Sequence, residues 1–129
     1  MAEQPFVLVV DDEPDFREIF SVKLSAAGYK VDTAENGAVA LQKMASAKPD
    51  LVLMDVKMPV MDGPTTMLKM KDDPALKDIK VAFLTNFGDP HRDLRGVDKK
   101  FAEEFGARGY LKKTDDLAML VDRVKALLQ

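Results

Sequence analysis

Cysteine is missing from this chain altogether, which excludes disulfides, thiolate catalysis and cysteine-ligated zinc. An excess of positive charge is missing too: 19 basic residues face 22 acidic ones, for a formal charge of −3. Sequence-independent nucleic-acid binding relies on a basic face, so direct contact with nucleic acid is not expected. Long hydrophobic runs are absent as well. The apolar stretch nearest the start, Phe6–Val10, is five residues long and ends in acids. That is too short for a signal-peptide core or a membrane span, so a soluble, cytoplasmic protein without membrane insertion is expected. Histidine is nearly absent. His91 stands alone in a polar stretch with no acid predicted to orient it, and reads as surface. No glycine-rich loop follows the first apolar run, which argues against a mononucleotide-binding module.

What remains is 129 residues, 47% of them apolar, enough for one domain with one core. Five short apolar, β-rich runs alternate with segments of helical periodicity. The runs are Phe6–Val10, Lys30–Ala34, Leu51–Met54 leading into Asp55, Ile79–Leu84 leading into Thr85, and Arg108–Leu111. Between them, Glu13-Pro14 opens a helix with Asp12 as its expected N-cap and Phe16, Ile19, Phe20, Leu24 and Ala27 as its apolar stripe. Asn36-Gly37 opens a second helix, with Ala38, Leu41, Met44 and Ala45 expected to face inward. Gly63-Pro64 opens a third, with Met67 and Leu68 as apolar contacts. Asp89-Pro90 starts a less regular fourth, carrying Leu94, Val97, Phe101 and Phe105. Thr114 or Asp115 is expected to cap a fifth, with Leu117, Leu120, Val121, Val124 and Leu127 on its buried side.

Strict βα alternation calls for a doubly wound α/β fold: a five-stranded parallel sheet with five flanking helices. Strand order 2-1-3-4-5 is the natural choice, and it makes strands one and three neighbours at the switch point. Asp11, Asp12 and Asp55 then meet at the carboxyl edge. Three carboxylates so close either take up protons or bind a cation, and an all-oxygen site with room for water suits Mg²⁺. Asp55 could also act as a nucleophile, because aspartate forms acyl phosphates. Thr85 and Lys113, ending the fourth and fifth strands, could each hold a phosphoryl oxygen. Each residue has a bland reading by itself. Asp11 and Asp12 could simply begin a helix, Asp55 and Thr85 could end strands, and Lys113 could be solvated. The constellation overrides those readings.

The pieces VVDDE, LMDVKMPVMDG, FLTN and GARGYLKK, in this order and at these strand ends, resemble the receiver domain of two-component response regulators over essentially the whole chain. The resemblance implies that Asp55 accepts a phosphoryl group from the phosphohistidine of a sensor histidine kinase or phosphotransfer protein. It implies Asp12, Asp55 and the Lys57 carbonyl as direct Mg²⁺ ligands, with Asp11 acting through water. Thr85 and Lys113 become phosphate contacts, and Tyr110 the aromatic that moves on switching. The family's spacing from that aromatic selects Lys113 over Lys112, and strand alternation agrees. A single receiver domain over residues 1–129 without an output domain is expected, signalling by a population shift to a downstream protein.

Two departures stand out. Thr114 replaces the proline usual after the lysine, so a trans bond is expected there. The stretch from Thr85 to Lys113 is longer than the family norm by about one and a half helical turns. A rival from another class is a Mg²⁺-dependent phosphatase with an aspartyl nucleophile. Such enzymes usually carry nucleophile and acid/base aspartates two residues apart after the first strand, whereas here the best nucleophile lies on the third.

Overall fold

In a computed structural model of the chain, residues 4–85 and 107–129 are described. The third apolar run becomes β3 (Leu51–Asp55), whose five residues are all buried, as a strand covered on both faces requires. Around it lie β1 (Phe6–Val10), β2 (Lys30–Ala34), β4 (Lys80–Thr85) and β5 (Gly109–Lys112). The sheet is parallel throughout in the order β2-β1-β3-β4-β5, as the alternation predicts. Val10 pairs with Met54 and Asp55 with Leu84, so β1, β3 and β4 end nearly level with one another.

Four helices are present among the described residues: α1 (Pro14–Ala26), α2 (Gly37–Ser46), α3 (Gly63–Asp72) and α4 (Leu117–Leu128). The helix predicted from Asp89 to Phe105, with His91 and most of the lengthened stretch, lies outside the described residues. Alternation along each strand sends side chains to two separate cores. Leu8, Val10, Val52, Met54, Val81 and Phe83 pack with Ala40 and Met44 of α2 and Met67 and Met70 of α3. Val7, Val9, Leu51, Leu53, Ala82 and Leu84 pack with Phe20 and Leu24 of α1 and Leu120 and Val124 of α4. Helices thus cover both faces of the sheet.

Several details differ from the sequence reading. The N-cap of α1 is Glu13, not Asp12, because the Asp11 side chain turns back and accepts the Glu13 N–H at 2.8 Å. In α2 the buried residues are Gly37, Ala40 and Met44, while Ala45 is exposed. The stripe is rotated because Gly37 lies against the start of α3. A Cβ at Gly37 would stand 1.8 Å from Thr66 Oγ1, and only glycine allows that approach. In α3, Met70 rather than Leu68 joins Met67 in the core. Asp116 caps α4 by accepting from Ala118 N, displacing both Thr114 and Asp115. No peptide bond is cis among the described residues, so Lys113–Thr114 is trans as expected.

Candidate functional site

The carboxyl edge is built by extending the strand ladders one residue past β1, β3 and β5. Asp11 N donates to Ala34 O at 3.0 Å, Val56 N to Leu84 O at 3.3 Å, and Lys113 N to Thr85 O at 2.9 Å. Asp11 and Lys113 therefore sit on backbone tied to the sheet. Arg17 clamps the first of these positions by donating to the Asp11 carbonyl at 2.7 Å. The loop after Asp55 folds back tightly, with Gly63 N donating to Val56 O at 2.9 Å. A Cβ on Gly63 would stand 2.5 Å from the Asp55 carbonyl oxygen and 2.9 Å from the Phe83 ring, so glycine is required there by space. Val60, at the tip of the same loop, is exposed and holds φ at 70°, an unusual conformation for a β-branched residue. The Lys57 carbonyl lies in this loop, two residues past Asp55.

Asp11, Asp12 and Asp55 each present a carboxylate oxygen within 4.8 Å of the others. Asp11 and Asp55 are buried, at 0% and 6% exposure, while Asp12 is exposed. Lys113 enters the cluster with its side chain only 6% exposed. Its ammonium stands 2.8 Å from Asp11 Oδ2 and 3.8 Å from Asp55 Oδ2, and pairs with Glu13. The same ammonium lies 4.9 Å from the centre of the Phe16 ring. Lys112 is exposed. Strand alternation thus pointed to the lysine that enters the carboxylate cluster.

One cation does not neutralise this cluster. Burial, followed by the charge of Asp11, pushes the Asp55 carboxyl up to about 7, although Lys113 pulls the other way. Asp11 is also raised, chiefly by burial. Burial disfavours the Lys113 ammonium, but its bonds to Asp11 and Glu13 outweigh that and raise it. Asp11 Oδ2 accepts no well-aligned hydrogen bond, even with the ammonium at ion-pair distance. A buried carboxylate oxygen with a spare lone pair, beside two further carboxylates, is a donor set that fits a hard divalent cation.

Thr85 ends β4 and Tyr110 lies within β5. The Thr85 hydroxyl donates to the Leu111 carbonyl across a long 3.4 Å. Tyr110 packs on Phe83 in the core beneath α2 and α3, with ring centres 5.8 Å apart. Glu13 and Phe16 are residues that sequence reasoning assigned only to the start and stripe of α1. The acid two positions after Asp11 was the available signal for Glu13, since a lysine was already expected at this edge.

The family description "Response regulator receiver domain" matches residues 7–125. The chain belongs to this family. The receiver domain is 41% identical over 121 residues to the response regulator PleD of Caulobacter vibrioides, covering 94% of this chain and 25% of PleD. It is 33% identical over 125 residues to the DNA-binding dual master transcriptional regulator RpaA of a Synechocystis strain, covering 97% of this chain and 49% of RpaA. The chain therefore spans half or less of these relatives' length. Among solved structures, the response regulator TrrA of Thermotoga maritima in complex with Mg(2+)-BeF superposes with a TM-score of 0.77. It is 35% identical, covering 96% of this chain and 99% of TrrA. Membership of this family displaces the aspartyl-phosphatase reading. Among the described residues, no helix is long and apolar enough to cross a membrane.

Proposed function

We propose that this receiver domain is a phosphorylation-controlled switch with Asp55 as the phosphoacceptor. A carboxylate oxygen of Asp55 attacks the phosphorus of a phosphohistidine on a sensor histidine kinase or phosphotransfer protein. One P–O bond forms, the P–N bond breaks, and the electron pair of that bond leaves with the imidazole. Water later cleaves the acyl phosphate, returning the carboxylate and inorganic phosphate. The observation that carries this reading is the placement of Asp55: buried at a strand end, beside two further carboxylates and a lysine, and pushed up to about 7.

Asp12, Asp55 and the Lys57 carbonyl would hold Mg²⁺ directly, and Asp11 through water. When bound, the ion offsets charge on the carboxylates and the incoming phosphoryl group. The Mg(2+)-BeF complex of TrrA supports this choice of metal. Lys113 is close enough to Asp55 to reach a phosphoryl oxygen placed on it. Thr85 reaches another by exchanging its long bond to Leu111, a weak contact to give up. That exchange loosens the β4–β5 edge beside Tyr110, which links the site to a surface read by a downstream protein. Driving a switch from 1:99 to 99:1 takes about 5.5 kcal/mol of differential binding, so a partial population shift is the expected signal. The working compartment under this reading is the cytoplasm.

The test is incubation with acetyl phosphate and Mg²⁺, followed by intact-mass measurement. One acid-stable, base-labile phosphoryl group per chain is expected. Chelating Mg²⁺ before the phosphodonor is added should prevent labelling while circular dichroism stays unchanged. Labelling that persists without the metal, or a fold that collapses on chelation, would count against the reading.

A further inference from the structure

Phosphoryl transfer as described makes no use of Glu13, yet Glu13 has hold of the lysine that transfer depends on. The Lys113 ammonium is bound by Asp11 at 2.8 Å and by Glu13, while Asp55 is more distant at 3.8 Å. These partners differ in their freedom to move. Asp11 is fully buried and fixed by its own backbone bond to Ala34. The Glu13 backbone is tied to α1, its carbonyl accepting from Arg17 N at 3.1 Å, but its side chain is 54% exposed. Glu13 therefore reaches over Lys113 from the solvent side, as the partner able to swing away.

A phosphoryl oxygen on Asp55 adds a competing anion for the same ammonium. Lysine has three donors; one is directed to Glu13, and Asp11 holds the ammonium as an ion pair. Moving the ammonium toward Asp55 stretches the bond to the outer partner first. We propose that Glu13 is a positioning residue that competes with the phosphoryl group for Lys113. It stations the ammonium at the rim of the carboxylate cluster while Asp55 is unmodified, and releases it when Asp55 carries phosphate. This rests on the reading of Asp55 as phosphoacceptor. Because the pair is open to water on the Glu13 side, the effect is modest, roughly twofold to fivefold in affinity for a phosphoryl-like anion.

The test is a titration of beryllofluoride into the full chain at saturating Mg²⁺, followed by backbone amide shifts. Glu13→Gln should bind about threefold more tightly than wild type, a size typical of exposed ion pairs. Removing any nearby negative charge favours an anion, so the same comparison is made in a Lys113→Gln background, where the gain should vanish. An unchanged affinity in Glu13→Gln, or an equal gain with and without Lys113, overturns the competition. Tight wild-type binding with either result overturns it alone. Failure of wild type to bind beryllofluoride overturns the phosphoacceptor reading together with it.

Discussion

Two aspartates bracket β3, and they are used in opposite ways. Asp50 lies just before the strand, at the amino edge of the sheet. It is exposed, and its carboxylate accepts the Phe6 N–H at 2.7 Å while its own N–H donates to the Phe6 carbonyl at 2.7 Å. Asp55 ends the strand at the other edge, buried, with two carboxylates as neighbours and an ammonium 3.8 Å away. The first charge is satisfied locally and fastens β1 to β3. The second is held in a place that burial and like charge make unfavourable. The same residue type, five positions apart, is satisfied by backbone at one edge and crowded by buried like charge at the other.

The largest expected contrast is in phosphorylation. Asp55→Asn should abolish labelling by acetyl phosphate, whereas Asp50→Asn should leave it at the wild-type level; intact mass reads both. Equal labelling of the two variants would erase the distinction.

Stability should reverse the order. A raised carboxyl means that the folded state keeps a proton the unfolded chain has already released. Without metal, stability should therefore fall as pH rises from about 4 to about 7, and level off above that. Asp11 is raised as well and acts in the same direction, while the raised Lys113 titrates above this window. The contribution of Asp55 is on the order of 4 kcal/mol. Urea unfolding of metal-free Asp55→Asn at pH 8 should accordingly show a more stable protein than wild type, with the gain shrinking near pH 4. A destabilised variant at pH 8 would mean that Lys113 fully compensates the buried charge.

Much of this was legible in the sequence, for physical reasons that differ by element. β1, β3 and β4 are apolar runs because both of their faces are covered, and no helix of comparable length reads that way. Their alternation with helices was enough to bring Asp11, Asp12 and Asp55 together before any coordinates. The caps were less legible. Asp11, Asp12 and Glu13 are three adjacent acids, and the choice among them depends on where Asp11 turns. The pairing of Glu13 with Lys113 joins residues 100 positions apart through side chains alone, and no periodicity reports it. The rotated stripe of α2 follows from the contact between Gly37 and Thr66, which composition cannot reveal.

Smaller effects sharpen the contrast between the edges. Gly63→Ala pushes a methyl group against the Asp55 carbonyl and Phe83, and should cost about 2 kcal/mol in urea unfolding while slowing labelling. A loss of stability with no change in labelling rate would separate the loop from the site. Asp50→Ala removes an acceptor at the amino edge and should cost about 1 kcal/mol with no effect on labelling. A slower rate in that variant would mean that the two ends of β3 are coupled.

Borohydride reduction tests the central claim most directly, because it converts an aspartyl phosphate to homoserine at the residue that carried it. After labelling with acetyl phosphate and Mg²⁺, peptide sequencing should find homoserine at position 55 and at no other aspartate. Homoserine at position 11 or 12, or a label that survives reduction unchanged, would contradict the assignment of Asp55.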